Sequence, residues 1–448
     1  MRRHSAARFW LFLFGLGSAT QVQFLGSIGI SELVSYFVAP YLFVMDYHKL
    51  RAHGFLTFVF LVIFTCMGCV VSSKINGTPF IPMLKGLAVP YSYFAIVIVL
   101  HHLLCKDFSG YKWLFWGAFL SGIISIFVFQ PAAATVRGGV MLTGAAATEN
   151  MVSHPLFWSR KIKGVLNLPI NVAYLSLPKW YVIGAALVGT FVTLLFSGST
   201  GRSAAATGLA GVVFLAIGGK SSSAIKRLCK HFLLVAICGI VMLGAFKGLY
   251  SHLAKSGALG VESLEKYERQ TIGGESILKM LMSGRMEFFC GVLAALDHPL
   301  VGFGPSPEDK GGYALNYLAK YGTFEDYEAY RKAVQNAYRE GRPFQIPLHS
   351  YITFFWLSYG IVGFILWIYV LMLIFFYLRK YAPAIPQVFG MIAMSTPGMV
   401  WAIFFSPPGV RVGAMNFVVF ILFCRAVYKK KFILPVEMQR EIIKVERK

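Results

Sequence analysis

Residues 350–378 read SYITFFWLSYGIVGFILWIYVLMLIFFYL and contain no charged side chain. A bilayer core is crossed by about 20 apolar residues in a helix, so this stretch is long enough to span a membrane. Similar apolar runs lie at 8–25, 30–46, 55–73, 87–104, 113–130, 180–196, 203–218, 231–250, 387–405 and 412–428. The pattern predicts an all-α, polytopic membrane protein.

The overall composition supports the same fold class. Of the 448 residues, 57% are hydrophobic and only 14% are charged. Soluble domains average about 25% charged residues, so a soluble globular protein is excluded. The net charge is +23. In a membrane protein such an excess gathers at the cytoplasmic ends of the spans, and we therefore expect no nucleic acid as a partner.

The distribution of basic residues predicts the orientation. The connections after the second and fourth apolar runs carry Lys49, Arg51, Lys106 and Lys112. With the N-terminus in the cytoplasm these residues lie inside, but Lys226 and Arg227 then fall outside. A further crossing at 164–178 returns them to the inside and raises the total to about twelve spans, with both termini cytoplasmic. That segment contains Asn and Pro and must be buried within the bundle.

The predicted crossings divide the chain into four parts. Residues 1–250 form the first nine spans and residues 350–428 the last three. Between spans nine and ten, residues 251–349 hold most of the acidic side chains and include an amphipathic pattern at 284–297. This segment is expected to form a helical cap on the outer face, and residues 429–448 form a basic cytoplasmic tail.

Three residues stand out as candidates for chemistry. Arg202 opens an apolar run after Gly and Ser residues that include Ser199, and a helix N-terminus beside an arginine suits a phosphate group. Arg285 opens the amphipathic segment of the cap. His349 lies where the cap meets the next apolar run, and histidine is the usual general base near neutral pH. Each also has a simpler interpretation, as an interfacial anchor or a solvated side chain.

Further polar residues on the predicted outer face could bind an anionic substrate. They are Lys85, Arg137, His298 and Arg411. The first predicted outer loop, 25–29, contains no acidic residue, and Glu32 lies near it alone. The sequence therefore predicts neither a metal nor another cofactor.

Three segments resemble the bacterial O-antigen ligase and polymerase family of GT-C-type membrane glycosyltransferases. They are SGSTGRSAAATGLAG at 197–211, SGRMEFFCGVLAALDHPLVGFGP at 283–305 and LHSYITFFWLSYGIVGFILW at 348–367. The order of the segments and the outer cap between the second and third also resemble this family. The resemblance covers roughly residues 160–430.

The resemblance implies a ligase that transfers a glycan from a polyprenyl (undecaprenyl) diphosphate carrier to an acceptor hydroxyl such as that of lipid A-core. The reaction would occur at the outer, periplasmic face of the bacterial cytoplasmic membrane. Arg202 and Arg285 would neutralise the departing diphosphate, and His349 would accept the proton of the attacking hydroxyl. Attack opposite the leaving group would invert the anomeric centre.

Other functions remain open at this point. A polymerase would use the same donor but transfer the glycan to another carrier-linked unit. A transporter also fits twelve spans, although the two halves of the chain show no symmetry and intramembrane acids are scarce. A scaffold role is a third possibility.

Transfer is expected to need no divalent cation, because two guanidinium groups are available to neutralise the diphosphate. Glycan transfer by the purified protein should proceed at the same rate with and without EDTA. Loss of transfer on chelation, followed by recovery with Mg²⁺ or Mn²⁺, would contradict this.

Overall fold

A computed structural model describes most of the N-terminal and C-terminal parts of the chain. It describes residues 2–19, 21–23, 27–127, 202–218, 248–249, 251–257, 285–322, 324–341, 343–406, 411–434 and 439–440, with single positions between 180 and 188 and between 264 and 271. The predicted crossing at 164–178 and almost all of the run at 231–250 lie outside the described residues, as do Arg137 and Ser199.

The described residues are mostly helical. The helices are α1 (Arg2–Ala19), α2 (Ile30–His53), α3 (Leu56–Ile75), α4 (Phe80–Lys106), α5 (Tyr111–Phe127), α6 (Arg202–Gly218), α7 (Met286–Asp297), α8 (Tyr313–Tyr321), α9 (Phe324–Arg339), α10 (Tyr351–Tyr359), α11 (Ile361–Phe376), α12 (Phe389–Phe405) and α13 (Arg411–Tyr428). A two-stranded antiparallel pair, β1 (Gln21–Gln23) and β2 (Ser27–Gly29), connects α1 to α2.

Several of these helices satisfy the length and hydropathy of membrane spans. Within the described residues, five helical segments are long and apolar enough to cross a bilayer: Leu56–Ile75, Phe80–Lys106, Ile361–Ala384, Pro386–Phe405 and Arg411–Tyr428. All five correspond to apolar runs that the sequence singled out. For the described residues, the expectation of a mostly helical protein with helices long and apolar enough to cross a membrane is confirmed.

Helix α4 lies at the centre of the bundle. It packs against α1, α2, α3 and α13, and a continuous run of its residues from Ser92 to Ile98 is buried. A helix that is apolar and buried on every side must be surrounded by other helices. Among the described helices, α1, α2, α3 and α13 therefore surround α4.

Small residues allow the first and fifth helices to cross closely. A Cβ atom on Gly15 would meet the backbone of Leu114, and one on Gly117 would meet the backbone of Phe12. In lipid, close backbone approach at small residues supplies packing that the hydrophobic effect between helices does not. The two glycines therefore determine how α1 packs along α5.

The composition of residues 350–378 predicted one continuous helix, and this prediction is wrong. The run divides at Gly360 into α10 and α11. The ring centroids of Tyr351 and Phe355 lie 4.6 and 5.4 Å from that of Trp367, and Gly363 approaches the backbone of Phe355. Helix α10 therefore folds back along α11. The segment long enough to span is Ile361–Ala384, which begins with α11, whereas the nine residues of α10 reach about 13 Å.

A loop that we call the docking loop, residues 298–305, seats against this reversal. The Ile361 amide donates to the Leu300 carbonyl at 3.0 Å, and the Phe303 amide donates to the Leu357 carbonyl at 2.6 Å. The Asn76 side chain donates to the Gly302 carbonyl at 3.1 Å. The loop therefore ties α7 to α10 and α11 and to the end of α3.

The segment around α8 and α9 is held together by its own contacts. The Asp309 carboxylate accepts hydrogen bonds from the amides of Tyr313 at 2.7 Å and Ala314 at 3.2 Å, which satisfies the first turn of α8. The Ile346 amide donates to the Pro307 carbonyl at 2.9 Å.

The amphipathic helix predicted at 284–297 is confirmed as α7.

Gly360 provides a test of the reversal. Its backbone angles, φ 71° and ψ −158°, are essentially restricted to glycine, and a Cβ atom there would meet the Leu300 carbonyl oxygen. Gly54 also has a positive φ, 78°, but no neighbour within 4 Å. Gly54→Ala should lower stability by about 1–2 kcal/mol from backbone strain, and Gly360→Ala by about 1–3 kcal/mol more from the steric clash.

Thermal unfolding of both variants in detergent, followed by circular dichroism, measures this difference. Equal losses of stability would show that Leu300 does not press against the chain reversal.

Candidate functional site

Three helix ends meet at one place in the bundle. Helix α7 begins after Arg285, α10 begins after Ser350, and α12 ends at Phe405. The Ser350 hydroxyl donates to the Ile403 carbonyl at 2.9 Å and accepts from the Thr353 amide at 3.3 Å. Ser350 therefore caps α10 and joins it to the last turn of α12.

His349 and Glu287 face each other across this junction. The His349 Nδ1 atom lies 3.3 Å from Glu287 Oε1, and the two side chains are 42% and 27% exposed. Gly291, one turn further along α7, approaches the side chain of Thr353 so closely that a Cβ atom would overlap it. The close packing of α7 on α10 brings the carboxylate within reach of the imidazole.

Arg285 lies at the start of the same helix. Its guanidinium stacks over the Trp401 ring, 5.1 Å from the ring centroid, and Nη1 donates to the Phe405 carbonyl at 3.4 Å. Burial lowers the pKa of Arg285, while the negative charge of Glu287 raises it. A guanidinium nonetheless stays charged at neutral pH. A fixed positive charge therefore lies two residues before Glu287.

The ionised form of Glu287 is favoured at this site. Burial raises its pKa, but the hydrogen bond with His349 and the nearby positive charges lower it by more, and the pKa lies below its ordinary value of 4.5. Glu287 is thus a carboxylate at neutral pH. The Nδ1 atom of His349 faces this carboxylate at 3.3 Å, so Nε2 is the ring nitrogen that points away from Glu287.

The structure describes the backbone of Arg202 but not its side chain. Arg202 is the first residue of α6, as the sequence predicted, and α6 packs against α12 where Gly211 approaches Met394. The side chain of Arg202 lies outside the described part of the structure. That the Arg202 side chain lies near those of Arg285 and His349 therefore stays a prediction.

Arg411 has partners that the sequence did not indicate. Its Nη1 atom lies 3.6 Å from Glu32 Oε2, with side-chain exposures of 18% and 7%, and donates to the Ser92 hydroxyl at 3.4 Å. The Tyr36 hydroxyl lies 2.5 Å from that of Ser92. Arg411 thus belongs to a buried polar network between α2, α4 and α13, and Glu32 is not alone. A role of Arg411 in substrate binding would require it to leave this network or share its charge.

Lys85 and His298 lie apart from the junction. Lys85 is exposed on α4, beside Gly86, where Pro305 of the docking loop packs. His298 follows the last residue of α7, and its ring packs on Phe303 at 4.5 Å. The twelve residues of α7 separate His298 from Arg285, a span of roughly 18 Å. These two residues do not join the Arg285–His349 group.

Glu287 was missed by sequence reasoning. An acidic residue in the first turn of a helix is ordinarily explained by the helix dipole, so Glu287 carries no functional signal of its own in the sequence. The available signal was its place two residues after Arg285 in SGRMEFF. Trp401 carried no signal at all, because an aromatic residue in an apolar span is typical of any membrane helix.

Comparison of the chain with models of known families, with curated proteins and with solved structures gave no match. The arrangement of Arg285, Glu287 and His349 therefore has to indicate its own chemistry. A carboxylate-oriented imidazole next to a guanidinium is able to remove a proton and to stabilise a developing negative charge.

The pKa of Glu287 gives a stability test. A carboxyl whose pKa is lower in the folded than in the unfolded chain contributes stability above its ordinary pKa and loses that contribution as the pH falls through the folded value. The melting temperature of the wild-type protein should therefore exceed that of Glu287→Gln most clearly at neutral pH. The difference should shrink below pH 4.5, the ordinary value.

Melting temperatures of the two proteins measured from neutral pH to about pH 3 test this. A difference that stays constant across the series would rule out a folded-state carboxylate stabilised by His349.

Proposed function

We propose that the chain is an O-antigen ligase-like glycosyltransferase of the bacterial cytoplasmic membrane. It would move a glycan from a polyprenyl (undecaprenyl) diphosphate carrier to an acceptor hydroxyl such as that of lipid A-core. The observation that supports this most is the meeting of His349 and Glu287 at 3.3 Å, with Arg285 at the start of the same helix. This group combines a proton acceptor with a fixed cation, and both side chains of the pair remain partly exposed.

The guanidinium of Arg285 suits the donor. A lipid diphosphate leaves with the electron pair of the broken glycosidic C–O bond and carries about two to three negative charges. A cation already in place stabilises that charge without reorganisation in the transition state. The stacking of Arg285 on Trp401 fixes the plane of the guanidinium, and its single described hydrogen bond leaves other N–H groups for phosphate oxygens. Arg202 would add a second cation.

The imidazole of His349 suits the acceptor. The acceptor oxygen forms the new bond to the anomeric carbon while its proton passes to Nε2 of His349. The Glu287 carboxylate stabilises the imidazolium that results, as a carboxylate partner does in other histidine-dependent sites. Attack from the side opposite the diphosphate inverts the anomeric centre.

The proposed topology places this chemistry outside the cytoplasm. About twelve spans with cytoplasmic termini would put the 251–349 cap between spans nine and ten on the periplasmic face, in contact with membrane lipids. The basic connections at Lys49, Arg51, Lys106 and Lys112 belong to the opposite ends of α2, α4 and α5 from the docking loop, which packs at Gly86 near the start of α4. This separation agrees with the positive-inside rule.

A polymerase is the alternative that shares the donor and the residues. The acceptor distinguishes the two functions. Purified protein given the carrier-linked glycan together with lipid A-core, or with carrier-linked repeat units alone, should transfer to lipid A-core. Chain growth on the carrier with no transfer to lipid A-core would assign the polymerase function instead.

Substitutions at the junction should separate its roles. His349→Ala should lower the transfer rate by about 10²–10⁴-fold through loss of the proton acceptor. Arg285→Ala should lower it by about 10²–10³-fold, and Arg285→Lys should retain part of the rate because the charge remains without the planar fork. Glu287→Gln should lower kcat with little change in the KM of the donor.

Matched controls are exposed residues of the same types. His252→Ala and Arg331→Ala alter an exposed histidine and an arginine in an exposed ion pair with Glu328, and both should retain the wild-type rate. Normal transfer by the His349 and Arg285 variants, with normal expression, would refute the catalytic role of this junction.

A further inference from the structure

A second cluster of reactive side chains lies elsewhere in the bundle. His53 at the end of α2 meets His101 and Cys105, which are one turn apart near the end of α4. We call these three residues the His53 cluster. Their potential ligand atoms all lie within 4.8 Å of one another. Among the described residues, no other group of three or more His, Cys, Asp or Glu side chains comes together in this way.

The distances within the His53 cluster match those of a tetrahedral metal site. His53 Nδ1 lies 3.0 Å from His101 Nε2, and Cys105 Sγ lies 3.6 Å from the first and 3.5 Å from the second. Zinc bonds of about 2.0–2.1 Å to nitrogen and 2.3 Å to sulfur, at tetrahedral angles, separate ligands by about 3.3 Å (N···N) and 3.5 Å (N···S). An ion therefore fits between the three atoms with small side-chain movements.

Neighbouring aromatic rings enclose His101, whereas His53 and Cys105 are partly exposed. The His101 ring is fully buried, with the rings of Phe55 and Phe423 at 4.6 and 5.7 Å. His53 and Cys105 are only half-buried. The cluster thus offers a fixed imidazole, a second imidazole and an accessible thiol. In a zinc site with three protein ligands, water takes the fourth position.

Two carboxylates lie near the cluster, and each is paired with a basic side chain. Asp46 lies two turns before His53 on α2; its carboxylate accepts from His102 Nδ1 and pairs with Lys49 at 2.9 Å. This acidic side chain is buried. Its charge supports a nearby dication, although Lys49 and His102 take part of it. Arg8 pairs with Asp107 at 2.6 Å, two residues past Cys105, and so is already neutralised.

We propose that the His53 cluster binds one zinc ion. Two imidazoles and a thiolate bind zinc in preference to Mg²⁺ or Ca²⁺, which take oxygen ligands. On binding, the Cys105 thiol releases its proton to solvent and its sulfur bonds the metal, while each imidazole keeps one proton on its other ring nitrogen. The ion joins the end of α2 to the end of α4, where the contact between Asp46 and His102 already links the two helices.

This site is separate from the proposed glycan transfer. His101 lies fifteen positions after Gly86, where the docking loop packs, a distance of about 22 Å along α4. The ion would stabilise the far end of the bundle and would not contact a diphosphate near Arg285. Failure of the zinc proposal would therefore leave the transfer proposal intact, and the reverse also holds.

Metal binding by the full-length protein in detergent tests the proposal directly. After removal of bound metal with a chelator and dialysis, titration with Co²⁺ should give a thiolate-to-cobalt absorption band that saturates at one ion per chain. Zn²⁺ should displace the cobalt and abolish the band. Cys105→Ser and His53→Gln should each weaken binding by at least about 100-fold, because they remove ligands and not merely the residues that orient them.

Controls distinguish this site from other thiols and imidazoles. Cys66→Ser changes a half-buried thiol in α3, and His48→Gln changes an exposed imidazole five residues before His53; both should bind cobalt like the wild-type protein. Circular dichroism of every variant without metal checks the fold. The proposal is overturned if the folded wild-type protein gives no thiolate band, or if Cys105→Ser and His53→Gln bind cobalt as tightly as the controls.

Discussion

The seating of the docking loop on the chain reversal at Gly360 is the constraint on which the candidate site depends. Backbone hydrogen bonds at Leu300 and Phe303 join the loop to α10 and α11. Because α7 leads directly into this loop, the bonds fix α7 against α10. Glu287 near the start of α7 and His349 before α10 are then held facing each other. Glycines of the segments 283–305 and 348–367, such as Gly302 and Gly360, therefore allow the close backbone packing, whereas charged residues of the first of these segments line the candidate site.

Composition predicted the apolar helices and the amphipathic α7 well, because lipid and a one-sided interface each impose a regular pattern. It could not predict the reversal at Gly360. A run without polar residues looks the same whether it is one helix or two, and only the close approach of Leu300 shows why the chain must turn. Arg285 and His349 were candidates from the sequence, whereas Glu287 became a candidate only from the packing of α7 on α10.

The other features that the sequence did not predict are contacts between side chains that lie far apart in the chain. Arg411 was read as a possible ligand for an anion, yet Glu32 lies 3.6 Å away in the bundle. Removing one member of such a buried pair leaves an uncompensated charge, which is usually worse than removing both. His53 and Cys105 likewise carried no joint signal, although the spacing of His101 and Cys105 on one helix was visible.

The anchored docking loop also limits how anything reaches His349. Swinging α7 outward as a lid would break its backbone bonds to α10 and α11 together, and Trp356 would lose its bond to the Pro299 carbonyl at 2.8 Å. A hinged opening is therefore disfavoured on this side. Large molecules would have to reach His349 by a route that leaves the docking loop in place, for example laterally from the bilayer.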